Sequence, residues 1–305
     1  MNLEFFKPSS LKTHLTLITL VIFLFSLGAL AFYASHMLRQ DLQERLSEQQ
    51  FSSTTLVANE INRDVLTRMQ ALEVVAAKIT PALLADHRAL QESLLDRPAL
   101  EMLFNSGLFI TRTDGVVVAN VPTTNNRLGF DVSGRDYIVA ALEQGKTSVG
   151  QPVLGQSLQT PVVPLAAPIR DAQGRVIGAL VGITDLNQPS FLDKISRSAY
   201  AKTGYWLLVA KQSRQIVAAS VPGRVMEVFE PGVSPLIERN LLGYEGTDIT
   251  INPQGVEVLA SSKSVAAANW YVVQALPTAE AFAPIYAQQW RMSIAALLVS
   301  LLACA

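Results

Sequence analysis

One cysteine, three histidines and a low density of charge limit the chemistry open to this 305-residue chain. Cys304 stands beside the C-terminus, which excludes an intrachain disulfide, a paired-thiol site and a cysteine-rich zinc site. His14 and His36 flank an apolar run, so only His87 remains for a folded domain, where it reads as a solvated residue on a polar helix. Ser-His-Asp catalysis and multi-histidine metal sites are thereby all but excluded, and no catalytic residue or metal ligand is assigned. The 24 basic and 25 acidic side chains give a net charge of −1. That lacks the basic excess that phosphate binding needs, so nucleic acid is not an expected partner. The Gly-x-Gly-like spacings have no dinucleotide-fold context, and no cofactor is expected. Only 16% of residues are charged, against roughly 25% in ordinary soluble domains. With a mean hydropathy of +0.28, part of this chain belongs in lipid.

That part is found at two places. No Lys, Arg, Asp or Glu lies between Lys12 and Arg39, and Leu15 to Ala34 reads LTLITLVIFLFSLGALAFYA. At 1.5 Å per residue these twenty residues span a hydrocarbon core of about 30 Å. The other reading is a cleavable signal peptide, but its apolar region runs only about 7–15 residues. Residues 15–35 are therefore expected as a first membrane helix, with Lys7 and Lys12 favouring a cytoplasmic segment 1–14. After Arg291 come fourteen uncharged residues, MSIAALLVSLLACA. They are too short to span and read as a second membrane helix cut midway, within an exit segment 279–305. A fragment of a longer chain with a cytoplasmic continuation is the expectation.

Between the apolar runs the periodicity changes from helix to strand. Ile61, Val65, Met69, Leu72, Ala76 and Ile79 keep one apolar stripe on a helix. No Gly or Pro interrupts residues 38–80, so a stalk helix over 36–80, ended by Pro81, is expected. It would reach about 60 Å. Its stripe either packs on its own domain or meets a partner helix in a homodimer. Leu83 to Phe104 reads as a further helical patch, with Asp96 and Pro98 as helix-start residues and Gly107 as a stop. Residues 108–111 and 116–119 flank Asp114-Gly115 as a first hairpin, and 162–169 and 176–183 form a second. Gly134 to Leu142 reads as a short helix between them. Residues 204–209 with 216–219, and 256–264 with 270–276, form a third and a fourth hairpin. Val217-Ala-Ala-Ser-Val-Pro222 echoes Val117-Val-Ala-Asn-Val-Pro122. An α+β chain with an internally duplicated antiparallel-sheet unit follows, the halves at 81–188 and 201–278 joined by a linker helix at 189–200.

A stalk helix, two successive α+β units and flanking membrane segments resemble the double-Cache sensor family of bacterial receptors. The most specific stretch is Asp131 to Leu186, DVSGRDYIVAALEQGKTSVGQPV…TPVVPLAAPIRDAQGRVIGALVGITDL. The resemblance implies two PAS-like sheets on a stalk, held by the inner membrane with the sensor in the periplasm. It also implies a small-molecule pocket in the membrane-distal unit. A cytoplasmic output domain is implied too, and the phrase Pro277-Thr-Ala-Glu-Ala-Phe282 looks most like the members linked to diguanylate cyclases; a histidine kinase or chemoreceptor output is also open. A periplasmic solute-binding protein with a cleaved signal is the rival reading, and the apolar C-terminal run argues against it.

Five residues are candidates for the pocket. Arg135 and Tyr137 stand at the start of the short helix, where a guanidinium can pair with a carboxylate and a helix N-terminus adds positive potential. Asp185 ends a long strand and can accept from a ligand ammonium. Asp131 and Arg112 complete the set. Each has a structural alternative: Asp131 as a helix cap, Arg135 bridging to Asp136 or Asp185, Tyr137 as packing, Asp185 capping the linker, Arg112 facing solvent. Amino-acid-binding members of the family carry an aromatic residue before an Arg-x-Trp-Tyr run and an Asp later in the chain. Here Phe130 stands first, Tyr137 takes the Trp position and Ile138 the next Tyr position, so only Arg135 and Asp185 match outright. The missing hydroxyls argue against a standard α-amino acid and leave a carboxylate, an amino-acid-like molecule or another small polar metabolite open.

Overall fold

A computed structural model describes residues 11–157, 159–285, 290, 291 and 294. Contacts divide the chain into two bodies, Gln50–Pro277 and the residues on either side of it. The second body holds the N-terminal part of helix α1 (Leu11–Ala76) and a short helix at Thr278–Ala281. Over this part α1 exposes Leu15, Phe25 and Phe32. Among the described residues α1 is the helix long and apolar enough to cross a membrane. The second apolar run, Met292–Ala305, lies largely outside the described residues.

In the first body α1 runs on to Ala76, short of the expected end at Pro81. Pro81 instead starts α2 (Pro81–Ala85), where its missing N–H costs nothing and Thr80 caps Leu83. The helical patch is three pieces, α2, α3 (His87–Leu95) and α4 (Pro98–Leu103). Asp96 closes α3, and the N-cap of α4 is Arg97. The apolar stripe of α1 is spent within the chain: Ala58, Ile61, Val65, Leu72 and Ala76 are at most 1% exposed and join the inner faces of both sheets in one core. Burial of each large side chain contributes about 1.5–3 kcal/mol. Of the two readings of that stripe, packing on its own domain is the one found. Gln50 fixes the register, its amide donating to the carbonyls of Leu259 and Gln274 at 2.9 and 2.7 Å.

The first sheet comprises β1 (Leu108–Arg112), β2 (Val117–Val121), β3 (Ser148–Val149), β4 (Val153–Leu154), β5 (Pro161–Arg170) and β6 (Val176–Asp185), with α5 (Asp136–Leu142) inserted after β2. Its order is β2-β1-β6-β5-β3, with β4 also pairing β5, all antiparallel. A linker with α6 (Asp193–Ser196) follows, one turn in place of the helix expected over 189–200. The second sheet comprises β7 (Tyr205–Ala210), β8 (Gln215–Ala219), β9 (Gly246–Ile251), β10 (Glu257–Val265) and β11 (Trp270–Pro277), with α7 (Pro235–Leu241) inserted after β8. Its order, β8-β7-β11-β10-β9, repeats that of the first sheet. The echoing segments fall on β2 and β8, equivalent edge strands. The duplication is therefore topological as well as textual.

The turns follow their residues. Gly115 takes φ +79° where a Cβ would meet the Ser133 backbone at 2.6 Å, and Asp114 accepts from the Val116 N–H at 3.0 Å. Between β5 and β6, Asp171 accepts from the N–H groups of Gln173 and Arg175 at 3.0 and 2.9 Å.

Candidate functional site

On the face of the first sheet covered by α5, a cavity of about 60 Å3 opens between β1, β6 and the 153–157 loop. Phe109, Phe130, Val162 and Ile183 give it apolar walls; Arg127, Arg135 and Tyr137 bring the polar groups.

Short-range bonds fix the helix that presents this wall. Asp136 Oδ1 accepts from the Tyr137 N–H, and its Oδ2 accepts from the Gln151 N–H, both at 2.9 Å. The helix start is thereby tied to the segment leading into the opposite rim. Gly150 permits the close packing: a Cβ there would stand 2.6 Å from Tyr137 Cδ1 and 2.8 Å from Pro164 Cγ. The 153–157 loop is closed by Gly155 N–H donating to Thr160 O at 2.8 Å and by a hydrogen bond from Ser157 Oγ to the Asn125 carbonyl.

Arg135 is the N-cap residue of α5 and half-buried. Its guanidinium makes no hydrogen bond or ion pair among the described residues, so the bridges to Asp136 and Asp185 are not formed. Tyr137 is buried at 5% exposure, and desolvation pushes its phenol pKa up to about 12.

The other three candidates do not line the cavity. Asp185 is buried, but its carboxylate accepts from Thr160 Oγ1 at 3.1 Å and the Asn187 N–H at 2.8 Å, and its own N–H donates to Asn105 Oδ1 at 2.7 Å. It latches the strand end to the linker. Asp131 accepts from the Ser133 N–H at 2.9 Å, and this turn holds its carboxyl below the usual range. It caps a turn ahead of α5; the N-cap place is taken by Arg135. Arg112 pairs with Asp114 at 2.6 Å, both half-exposed.

Arg127 was not anticipated. It is only 8% exposed, and Nη2 donates to the carbonyl and hydroxyl of Ser106 at 3.1 and 3.3 Å. Nη1 has no partner among the described residues. The guanidinium carbon lies 5.9 Å from the centroid of the Phe109 ring. Burial lowers its pKa from the ordinary arginine value, and a guanidinium keeps its charge in proteins. An arginine in a polar loop gives no periodic signal, and only the fold shows that residue 127 turns inward. Among the described residues no Asp or Glu lines this cavity. Two guanidiniums without a carboxylate make it a receptor for negative charge.

The family model of the Cache domain matches residues 34–285, so the chain belongs to the Cache-domain family. It is 24% identical over 180 residues to the methyl-accepting chemotaxis protein PctB of Pseudomonas aeruginosa, a match covering 59% of this chain and 27% of that receptor. The chain thus spans about a quarter of the curated relative's length. The ligand-binding domain of PctB in complex with L-Arg superposes with a TM-score of 0.62 at 22% identity, covering 79% of this chain and 98% of that one. That of the Pseudomonas fluorescens chemoreceptor CtaA in complex with L-isoleucine gives 0.59 at 18%, covering 83% and 99%. The fold is that of Cache ligand-binding domains.

Proposed function

We propose that this chain is the sensing part of a bacterial transmembrane receptor, with the 50–277 body outside the cytoplasm. Its ligand is a small carboxylate-bearing metabolite, amino acids included, held in the cavity beside α5. The observation that carries this is the cavity's unbalanced charge: an unpartnered Arg135 and a buried, half-paired Arg127, faced by no acidic side chain among the described residues. Arg135 takes the carboxylate, Arg127 supplies a second donor, and Tyr137 with Phe130 covers the apolar remainder. Relatives of the same fold that hold L-Arg or L-isoleucine support the amino-acid class.

Ligand binding does work on a receptor only through its differential affinity for two arrangements of the protein. The conduit is the helix α1, whose chain runs from the apolar segment into the Gln50–Pro277 body. A homodimer through the stalk and a second span within 279–305 complete the design. The output is a cytoplasmic signalling domain. The Pro277–Phe282 phrase points to a diguanylate cyclase and the chemotaxis relative to a chemoreceptor, and the reading frame beyond codon 305 distinguishes them.

Calorimetric titration of the purified chain with a panel of small carboxylates, amino acids and amines tests the site. Binding confined to carboxylate-bearing compounds, weakened roughly 10–100-fold in Arg135→Ala as for the loss of a charged hydrogen bond, is expected. Binding of amines alone, or an affinity indifferent to Arg135, overturns the assignment.

A further inference from the structure

The second unit has a cavity of its own, of about 40 Å3, between its sheet and α7. Its walls are apolar, with Leu207, Val209, Phe229 and Val258 among them. Two polar groups set in those walls are unsatisfied. The Tyr271 hydroxyl and Asn240 Nδ2 have no hydrogen-bond partner among the described residues, although each side chain belongs to a residue only 1% exposed. The Asn240 amide is oriented by Ser262, whose hydroxyl donates to Oδ1 at 2.7 Å, which fixes Nδ2 as the free donor. Two neighbouring polar groups are engaged: Tyr205 OH accepts from Asn252 Nδ2 at 3.3 Å, and Ser234 Oγ donates to the Ile251 carbonyl at 3.2 Å.

An unmet donor buried in an apolar wall costs about 1–3 kcal/mol, so two of them on residues that line one cavity are costly to keep without an acceptor to serve. The charge balance says what kind. Arg224 is the one charged residue lining the cavity among those described, and Glu227 neutralises it through bonds of 2.7 and 3.0 Å. Behind the wall, Arg214 is likewise paired with Glu238. No cation is left over, and a buried carboxylate without one would be strongly disfavoured.

We infer that the second unit binds a small uncharged molecule with an apolar body and an acceptor oxygen, such as a short ketone, ester or amide, whose oxygen takes the Tyr271 hydroxyl and Asn240 Nδ2 as donors. This site is independent of the carboxylate site in the first unit.

Butanone and propionate have nearly the same shape and differ in charge, which makes them the probes. Saturation-transfer NMR on the full chain in detergent is expected to show transfer to butanone and a dissociation constant in the millimolar range. Tyr271→Phe weakens it about fivefold, the size of one neutral hydrogen bond, while the ligand-free melting temperature stays level or rises because an unmet hydroxyl has gone. Ala260→Leu, from the cavity wall, abolishes transfer by filling the space, and Arg135→Ala leaves it unchanged. Absence of transfer, butanone binding lost in Arg135→Ala but kept in Tyr271→Phe, or tighter Tyr271-dependent binding of propionate would each overturn the inference.

Discussion

The two sheet units share a strand order and differ in what they enclose. In each, a helix inserted after the second strand closes a cavity against the sheet. In the first unit that cavity holds surplus positive charge, with Arg135 unpartnered and Arg127 half-paired. In the second the lining arginine is neutralised by Glu227 and the unmet groups are neutral donors. Topology was retained after duplication because strand order and the shared core with α1 hold both units together. The cavity linings carry no such constraint, since a side chain facing a void can change without disturbing the ladder. The comparison teaches that in this fold the sheet fixes where a cavity lies and the loop and inserted helix fix the charge of its lining.

The largest expected effect breaks the structural side of the comparison. A glycine precedes the first strand of each unit, Gly107 and Gly204. At Gly107, with φ +86°, a Cβ would stand 1.9 Å from the Val121 carbonyl oxygen; at Gly204, with no positive φ, it would stand 2.6 Å from Tyr200. Gly107→Ala is expected to lower stability by about 3 kcal/mol or more, and Gly204→Ala by less, since part of its obstacle is the ring edge of a side chain. Chemical unfolding of both variants tests the order. A larger loss at Gly204 would mean that the second unit, not the first, is the more tightly constrained at its entry strand.

Next in size is the separation of Arg135 from Arg127. Arg135 has no hydrogen-bond or ion-pair partner among the described residues, so Arg135→Ala should leave the melting temperature unchanged while carboxylate affinity falls. Arg127 holds the Ser106 carbonyl and covers Phe109, so Arg127→Ala should lower both, its stability loss on the order of 1–3 kcal/mol. Paired melting curves and titrations check this. Equal behaviour of the two variants would mean that the two guanidiniums share one role.

Much of the fold was legible because hydrophobic alternation and turn residues report locally. The four hairpins, the duplicated text on β2 and β8, and the stripe of α1 all carry such signals. β9 was missed since it is an edge strand with no fully buried residue, so Gly246–Ile251 shows no clear apolar face. α7 was missed although Ser234-Pro235 marks a helix start as plainly as the residues ahead of α5 do. Of the five candidates, two line the cavity. Arg135 and Tyr137 stand at a recognisable helix start, whereas Arg127 comes from a loop whose direction only the tertiary fold sets. Asp185 stands outside the cavity lining because, at a strand end, its carboxylate serves Thr160 and the linker's Asn187 N–H.

A smaller effect compares the buried phenols, Tyr137 in one cavity and Tyr271 in the other. Desolvation raises both pKa values, that of Tyr137 to about 12. The unfolded chain releases each proton near pH 10 while the folded chain retains it. Their contribution is therefore intact below pH 10 and lost as pH rises through the folded values, by roughly 2 kcal/mol for Tyr137 at pH 12. Unfolding midpoints followed from pH 9 to 12 should fall less steeply in Tyr137→Phe, and less steeply again in the double variant with Tyr271→Phe. Equal slopes in all three would show that the phenols are hydrated and the cavities open.

The smallest effect is an expected null, and it marks the edge of the first site. Arg112 sits on the same hairpin that carries Phe109 into the cavity, three residues along β1, so strand alternation alone would send the two side chains to opposite faces. Its side chain is half-exposed and bonded to Asp114 through two nitrogens, at 2.6 and 3.4 Å. Exposed pairs of this kind contribute little because water and salt screen them. Arg112→Ala should therefore change neither the melting temperature nor the affinity for any carboxylate bound by the wild type. A loss of affinity without a loss of stability would move the cationic rim outward to include the hairpin tip, and the charge that separates the two units would then rest on three arginines instead of two.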